Sequence, residues 1–432
     1  MNIAVVGAGI GGMAAAYDLI KQGHTVTIFE GSDSVGGLAK GFRDTHWDWS
    51  VEYFYHHWFT SDKYMLGLIN ELGLTDQVVI PRPTTVMYHK DKFYPFDSIP
   101  AAIMYPGLGW GITKIRFGLV TIYLRLTTNW KTLEKYTIDE WMRKWAGNKA
   151  YEEMWEPMVI GKFGEEYAKK VTMAWLWARL HARTTRLATF KGGFQEFSNK
   201  FADKLRQLGV DIQLSTTVNQ IRSAQEGGIF LTVEGKTVHF DKVLVTSSPS
   251  ALARLAPELP EEYLHGLLSL KSLGAVVMTV ALKHQLSEKG YYWFNLPKKA
   301  GYPFLALVEH TNFLSPKYFG GDHIVYMGDY LPVDHEYFSL SKEELLERFM
   351  PALKRINPGF TPEWVRDSWL HREKYAQPIP MVNHSKNIPA IETPLPGLYF
   401  ASMSQVYPWD RGTNFAVEIA KRAVKIMIDQ QE

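Results

Sequence analysis

Residues 2–30, NIAVVGAGIGGMAAAYDLIKQGHTVTIFE, carry the pattern on which the reading of the whole chain turns. Asn2 to Val6 is a short apolar run, suited to a buried parallel strand. Gly7-Ala8-Gly9-Ile10-Gly11-Gly12 follows, and then helix formers with apolar spacing run up to Gly23, a residue type that commonly ends a helix. His24 to Glu30 is β-branched and reads as a second strand closing on an acid. Each part has a task in holding a nucleotide diphosphate. Gly7 permits a tight turn, Gly9 lets backbone approach the pyrophosphate, and Gly12 lets the helix pack close to the strand. The unpaired N–H groups and positive end of the helix then face the phosphates. Glu30 is placed to accept hydrogen bonds from the adenosine ribose. A lone GxGxxG is weak evidence, but here the full order of strand, glycine turn, helix, strand and acid is present.

The composition narrows the chemistry. The chain has 432 residues, 46% hydrophobic and 21% charged, with a formal net charge of +2. That length allows two or three domain-sized units, and that charge predicts no field attracting nucleic acid. There is no cysteine, which rules out disulfides, a CxxC redox pair, cysteine-ligated zinc or iron–sulfur clusters and a cysteinyl–flavin bond. Redox chemistry must then sit on a bound organic cofactor. No metal-ligand spacing is visible, so no metal is expected. No signal-like segment precedes the first strand and no apolar run has membrane-spanning length, so the expected location is cytoplasmic. Fourteen Trp and 22 Tyr supply rings for cores and for apolar pockets alike.

Further pieces match the first. After Glu30 the chain continues Gly31-Ser32-Asp33-Ser34-Val35-Gly36-Gly37-Leu38-Ala39. Phe190 to Gly209 has a glycine pair followed by an amphipathic helix, Val210 to Ile221 reads as strands, and Ile229 to Val245 as strands around a Gly235 turn. Gly397 to Ser402 is a strand, followed by Asp410-Arg411-Gly412-Thr413-Asn414 and a helix, FAVEIAKRAVKIMI. Thr413 or Asn414 is expected to cap that helix. Ser341 with Glu344 reads as a capping box.

The segment EGSDSVGGLAKGF resembles the superfamily of amine oxidases, protoporphyrinogen oxidases, phytoene desaturases and UDP-galactopyranose mutases. The resemblance implies FAD, held non-covalently. It implies an α/β chain with a Rossmann-like FAD-binding domain of the glutathione-reductase type and an inserted mixed α+β substrate domain. The FAD domain would comprise residues 1–61, 190–260 and 390–432, and the substrate domain residues 62–189 and 261–389. The first of these substrate segments reads as helix-rich. The cofactor contacts implied are Gly7, Ala8, Gly9, Ile10, Gly11, Gly12, Glu30, Gly31, Gly36, Gly37 and Leu38. Val218 would add a backbone bond to adenine, and Asp410, Gly412, Thr413 and Asn414 would close the flavin site. Many members carry Arg where this chain has Leu38. No second GxGxxG stands in strand–helix context, so a separate NAD(P)H domain is not expected.

Four clusters are candidates for substrate chemistry. The segment Glu52 to Asp62 is similar to a mutase segment, with His56 on the first mutase histidine. Glu309-His310-Thr311-Asn312 at a strand end is similar to another, and offers Glu309 and His310 as catalytic groups and Asn312 as a substrate contact. Lys162, in Gly161-Lys162-Phe163-Gly164, faces an anion or the flavin in one reading and is a solvated lysine at a glycine turn in the other. Tyr375-Ala376-Gln377-Pro378 is similar to a tyrosine-bearing substrate loop, with Tyr375, Gln377 and Tyr330 as substrate contacts. Arg411 completes the catalytic candidates.

Two activities compete. The leading one is an FAD-dependent oxidase, dehydrogenase or desaturase taking hydride from an apolar or aromatic small molecule, with oxygen, quinone or another carrier as final acceptor. The alternative is a mutase-like flavin-dependent isomerase of a nucleotide sugar. Against the alternative, Ala401-Ser402-Met403-Ser404 stands where the mutase family has an arginine to clamp the diphosphate. Residues 99–127 are apolar, with Lys114, Arg116 and Arg125. They read as a pocket-lining or buried helix pair, with membrane contact as the second reading.

Overall fold

The structure, a computed structural model, describes residues 1–429. Its first sheet has five parallel strands in the order Asp211–Gln213, Thr25–Phe29, Asn2–Val6, Lys242–Val245 and Leu398–Phe400. Asn2–Val6 is central, with Val5 between Ile28 and Leu244. The helix Ile10–Lys21 covers one face of the sheet, burying Met13, Ala14, Ala15, Ala16 and Leu19. Small residues there let the helix lie close to the strands, so the glycine turn between them is short. The opposite face is packed by a three-stranded antiparallel sheet, Val218–Ser223, Ile229–Val233 and Lys236–Phe240. The helix Phe194–Gln207 is amphipathic as expected and buries Phe197, Phe201 and Leu205.

The second large sheet has seven strands, in the order Val365–Pro378, Ser272–Leu282, His323–Leu331, Ala306–Glu309, Trp293–Asn295, Thr85–His89 and Lys92–Pro95. The last two form a hairpin inside the segment read as helix-rich. The signal was weak because the turn residues are Lys90 and Asp91, both at positive φ (48° and 58°). Glycine or asparagine usually marks such a turn. Tyr375 and Gln377 also depart from expectation. They belong to the strand Val365–Pro378, not to a loop, and Gln377 is paired opposite Leu273.

Helices between residues 99 and 182 form a third body with its own core, around Phe163, Trp175, Leu176 and Tyr151. The C-terminal helix Thr413–Asp429 returns to the first sheet and packs on Ile10–Lys21. The capping box at Ser341 and Glu344 is present.

Candidate cofactor and active site

The nucleotide cradle is built from glycines packed against one another, and Gly12 leaves no room for a side chain. A Cβ at Gly12 would sit 1.9 Å from the Gly7 carbonyl oxygen, and one at Gly37 would sit 3.0 Å from the Gly9 Cα. The Ala8–Gly9 turn and the Gly36–Gly37 turn therefore touch backbone to backbone, joined by the Gly36 N–H donating to the Ala8 carbonyl at 2.9 Å. Gly7 and Gly36 have φ of 110° and 119°, a region that disfavours side chains. No side chain caps the helix Ile10–Lys21, and its first turn holds no acid. Its first N–H groups remain available to an anion.

The Glu30 carboxylate accepts from the Ala8 N–H at 2.7 Å and the Ser32 N–H at 2.9 Å. Two of its roughly four lone-pair positions are then left for sugar hydroxyls. Gly31 lies against Thr217, and Val218 is buried at the start of its strand opposite Val233. Leu38 is half-buried in a short turn beside Gly37. These residues fit a dinucleotide cofactor. They would hold its diphosphate at Gly9–Gly12 and its ribose at Glu30.

The N-terminal end of the C-terminal helix arrives at the same place, since a Cβ at Gly11 would lie 3.4 Å from the Ala416 carbonyl. Among the described residues nothing stands within 4 Å of a Cβ built on Gly412, so the backbone there is open to a ring. Thr413 and Asn414 act differently from the capping role read in sequence. Thr413 Oγ1 accepts from the Trp58 indole N–H at 2.8 Å. Asn414 Oδ1 accepts from the Tyr64 and Met65 N–H groups, so it caps the neighbouring helix Lys63–Glu71. That helix needs an outside cap because Asp62, the residue before it, is turned to the Phe59 N–H.

Just before the C-terminal helix lies a charge cluster in which Lys162 is buried and Asp410, Arg179 and Arg411 are partly exposed. Asp410 pairs with Lys162 at 3.3 Å and with Arg179, and accepts from the Trp175 indole N–H at 3.1 Å. Arg411 donates to Gln377 Oε1 at 2.9 Å and to the Tyr330 hydroxyl. The Lys162 ammonium also lies over the Trp175 and Tyr330 rings, at 5.4 and 5.1 Å. Lys162 is buried within the helix Glu156–Ala168, not solvated at a turn. Burial works to raise the Asp410 carboxyl, but the charges of Lys162, Arg179 and Arg411 overcome it and hold the group well below the usual carboxylate range. Burial drives the Lys162 ammonium well below its ordinary value, reinforced by Arg179 and Arg411 and opposed by Asp410.

His56 and His57 border this cluster. Burial and the Arg411 charge push His56 down to about 4, and burial with Arg183, His56 and Arg179 pushes His57 down to about 3. Both imidazoles are neutral at pH 7. His56 Nδ1 meets its own Phe54 carbonyl. Tyr375 hydrogen-bonds the Ser404 hydroxyl, and burial raises its phenol to about 12.

The structure therefore brings Lys162, Tyr330, Gln377, Asp410 and Arg411 together, with His56 beside them. It does not bring Glu309, His310 or Asn312 there. Glu309 pairs opposite Val325, five residues along the strand from Tyr330, a distance of about 16 Å. Its carboxylate accepts from the Leu286 and Ser287 N–H groups and from Asn312 Nδ2, each at 2.8 Å. Asn312 also donates to the Tyr291 carbonyl and accepts from Gln285. His310 is buried among Tyr326, Phe319 and Phe313. Sequence reasoning missed Trp175 and Arg179. Their i, i+4 spacing on the helix Met173–Ala182 puts both on one face, a signal that becomes meaningful once Asp410 faces it.

Comparison with known proteins bears on the family and the fold. Residues 10–428 match the family described as flavin containing amine oxidoreductase. The chain is 21% identical over 382 residues to the 15-cis-phytoene desaturase of Glycine max, an alignment covering 83% of this chain and 66% of that protein. It thus spans just under two thirds of the desaturase's length. Cyclohexylamine oxidase from Brevibacterium oxydans IH-35A superposes with a TM-score of 0.74 at 16% identity, over 99% of both chains. A reduced UDP-galactopyranose mutase superposes at 0.75 with 15% identity, over 100% of this chain and 96% of the other. At such identities these superpositions speak for the fold.

Proposed function

The chain belongs to the flavin-containing amine oxidoreductase family, with FAD as its cofactor, and from that premise we propose that it oxidises an uncharged apolar or aromatic small molecule. FAD, when bound, would supply a two-electron acceptor for hydride from a substrate C–H bond. The chain's own residues position and enclose the donor. Trp175, Tyr330, Tyr375, Tyr407 and Trp409 give the region around Asp410 and Arg411 an aromatic wall, suited to orienting a flat or apolar molecule and excluding water.

One observation carries the proposal: Arg179 is paired with Asp410, and Arg411 is held by Gln377 and Tyr330. Two consequences follow. A single carboxylate faces two arginines and Lys162, so a protonated amine meets net repulsion. That weighs against an amine donor of the cyclohexylamine kind. Arg411, held by Gln377 and Tyr330, is not free to clamp a diphosphate either, which weighs against the mutase reading. Arg411 holds Tyr330 and Gln377 in place, and burial together with the Arg411 charge keeps the His56 imidazole neutral beside it.

The test uses the purified holoprotein under argon. A conjugated apolar donor such as 15-cis-phytoene is expected to bleach the flavin absorption, and cyclohexylamine at neutral pH is not. Conversion of UDP-galactopyranose to its furanose form by the reduced protein, with no bleaching by any apolar donor, would establish the mutase reading instead.

A further inference from the structure

Residues 99–127, read as a pocket-lining or buried helix pair, leave much of their apolar surface exposed. The helix Ile112–Leu126 turns Phe117, Val120 and Leu124 inward. Its outward side is also apolar: Ile112, Ile115, Leu119, Ile122 and Leu126 are all exposed, Ile112 and Leu126 by 75% each. At about 100° per residue these five fall within an arc of roughly 80°. Ile99, Ile103, Met104 and Trp110 extend the exposed surface across the preceding helix Ile99–Met104 and its turn, with Trp110 77% exposed. One apolar face suffices to dock this helix on its own core. A second one, continuous over two helices, marks contact with something else.

Charge identifies the partner. From Ser98 to Leu133 there are four basic residues, Lys114, Arg116, Arg125 and Lys131, and no acid. On the helical wheel Arg116 borders the apolar arc on one side, and Lys114 and Arg125 on the other. Lys114 lies over the Trp110 ring at 4.2 Å, and Arg116 donates to the carbonyls of Lys144 and Trp145, where the Trp145 side chain is half exposed. An apolar stripe rimmed by bases and amphipathic aromatics matches the headgroup region of an anionic bilayer. Among the described residues no helix is long and apolar enough to cross a membrane, so contact would be from one side.

We propose that the helices Ile99–Met104 and Ile112–Leu126 form a docking face that lies on the surface of a bilayer containing anionic lipid. The face is one helix layer from the charge cluster. Ile112–Leu126 packs on Met173–Ala182, which carries Trp175 and Arg179. The two are tied by Arg125 donating to the Arg183 carbonyl and by the Trp177 indole donating to the Thr127 carbonyl. Delivery of an apolar hydride donor through this face rests on the proposed reaction. The docking does not.

The test is co-sedimentation of full-length holoprotein with phosphatidylcholine vesicles, with and without 30% phosphatidylglycerol. Binding to the anionic vesicles is expected to exceed that to neutral ones at least tenfold (about 1.4 kcal/mol) at low salt, and to fall in high salt. L119E/I122E is expected to lose it at least tenfold while keeping its flavin content and thermal midpoint. W110S serves as the milder variant if the double one loses flavin, and a several-fold loss is expected. Equal binding to both vesicle types, or no loss in the variants, overturns the proposal. So does a wild-type dimer that L119E/I122E splits without vesicle binding, because a second copy would then cover the face. No turnover is measured, so failure here leaves the reaction assignment standing.

Discussion

Replacing Asp410 by Asn tests the charge cluster most directly. The amide keeps the size of the carboxyl and an oxygen for the Trp175 N–H, but removes the only negative charge bonded to Lys162 and Arg179 among the described residues. Breaking a buried ion pair from one side costs about 3–5 kcal/mol, because the partner stays behind uncompensated. Two features of the cluster lower that figure. The Lys162 ammonium is already driven down by burial, so without Asp410 it can shed its proton. The Arg179 side chain is about one-third exposed and can regain water. The expected loss for D410N is therefore about 3 kcal/mol. It is read from guanidinium unfolding of the holoprotein at pH 7, followed by flavin and tryptophan signals. Adding K162M should recover about 1–2 kcal/mol, since the buried amine that must shed its proton or stay charged without a partner is gone. The pH dependence gives an independent reading. The Asp410 carboxyl lies lower in the folded chain than its unfolded value near 3.8, so its contribution is complete above that value and is lost as pH falls below it. D410N should thus be destabilised at pH 7 and differ less from wild type near pH 3. A loss below 1 kcal/mol at pH 7, or one that K162M does not relieve, would refute the view of Asp410 as the buried counter-charge.

Three further outcomes are expected. G12A forces a Cβ to 1.9 Å from the Gly7 oxygen, displacing backbone at the cradle. The purified variant should be colourless, with flavin affinity down at least a hundredfold in a fluorescence titration. E309Q must turn an NH₂ toward one of the N–H groups its carboxylate now binds, costing about 1–3 kcal/mol. Turnover per bound flavin should stay unchanged, because Glu309 stands away from Arg411 and Tyr330. Burial raises Glu52 to about 7, so the folded chain holds a proton that the unfolded chain releases above about 4.5. Stability should decline as pH rises between those values, by up to about 1.4 kcal/mol per unit for this group, and level off above. E52Q should flatten that slope in urea titrations across pH 5–8.

The backbone path of the cradle could be read from residues 2–30, and the closing strand and helix from residues 397–429. Glycine conformations and apolar periodicity are local properties, decided within a few residues by sterics and by which face must be buried. FAD came instead from the resemblance of the segment after Glu30, with its Gly36-Gly37 pair, to the flavoprotein superfamily. What tertiary structure alone decided was the state of the charges. Lys162 reads as solvated beside its glycines, yet it is buried, because Asp410 stands 248 residues further on to receive it. Asn414 caps a helix that starts at Lys63. Glu309 is turned inward to the N–H groups of Leu286 and Ser287. The helix Ile112–Leu126 is apolar enough to be buried and is left uncovered, because its core is filled from one side. The dielectric around a charge and the cover over an apolar face are set by neighbours distant in sequence, and no local pattern encodes them.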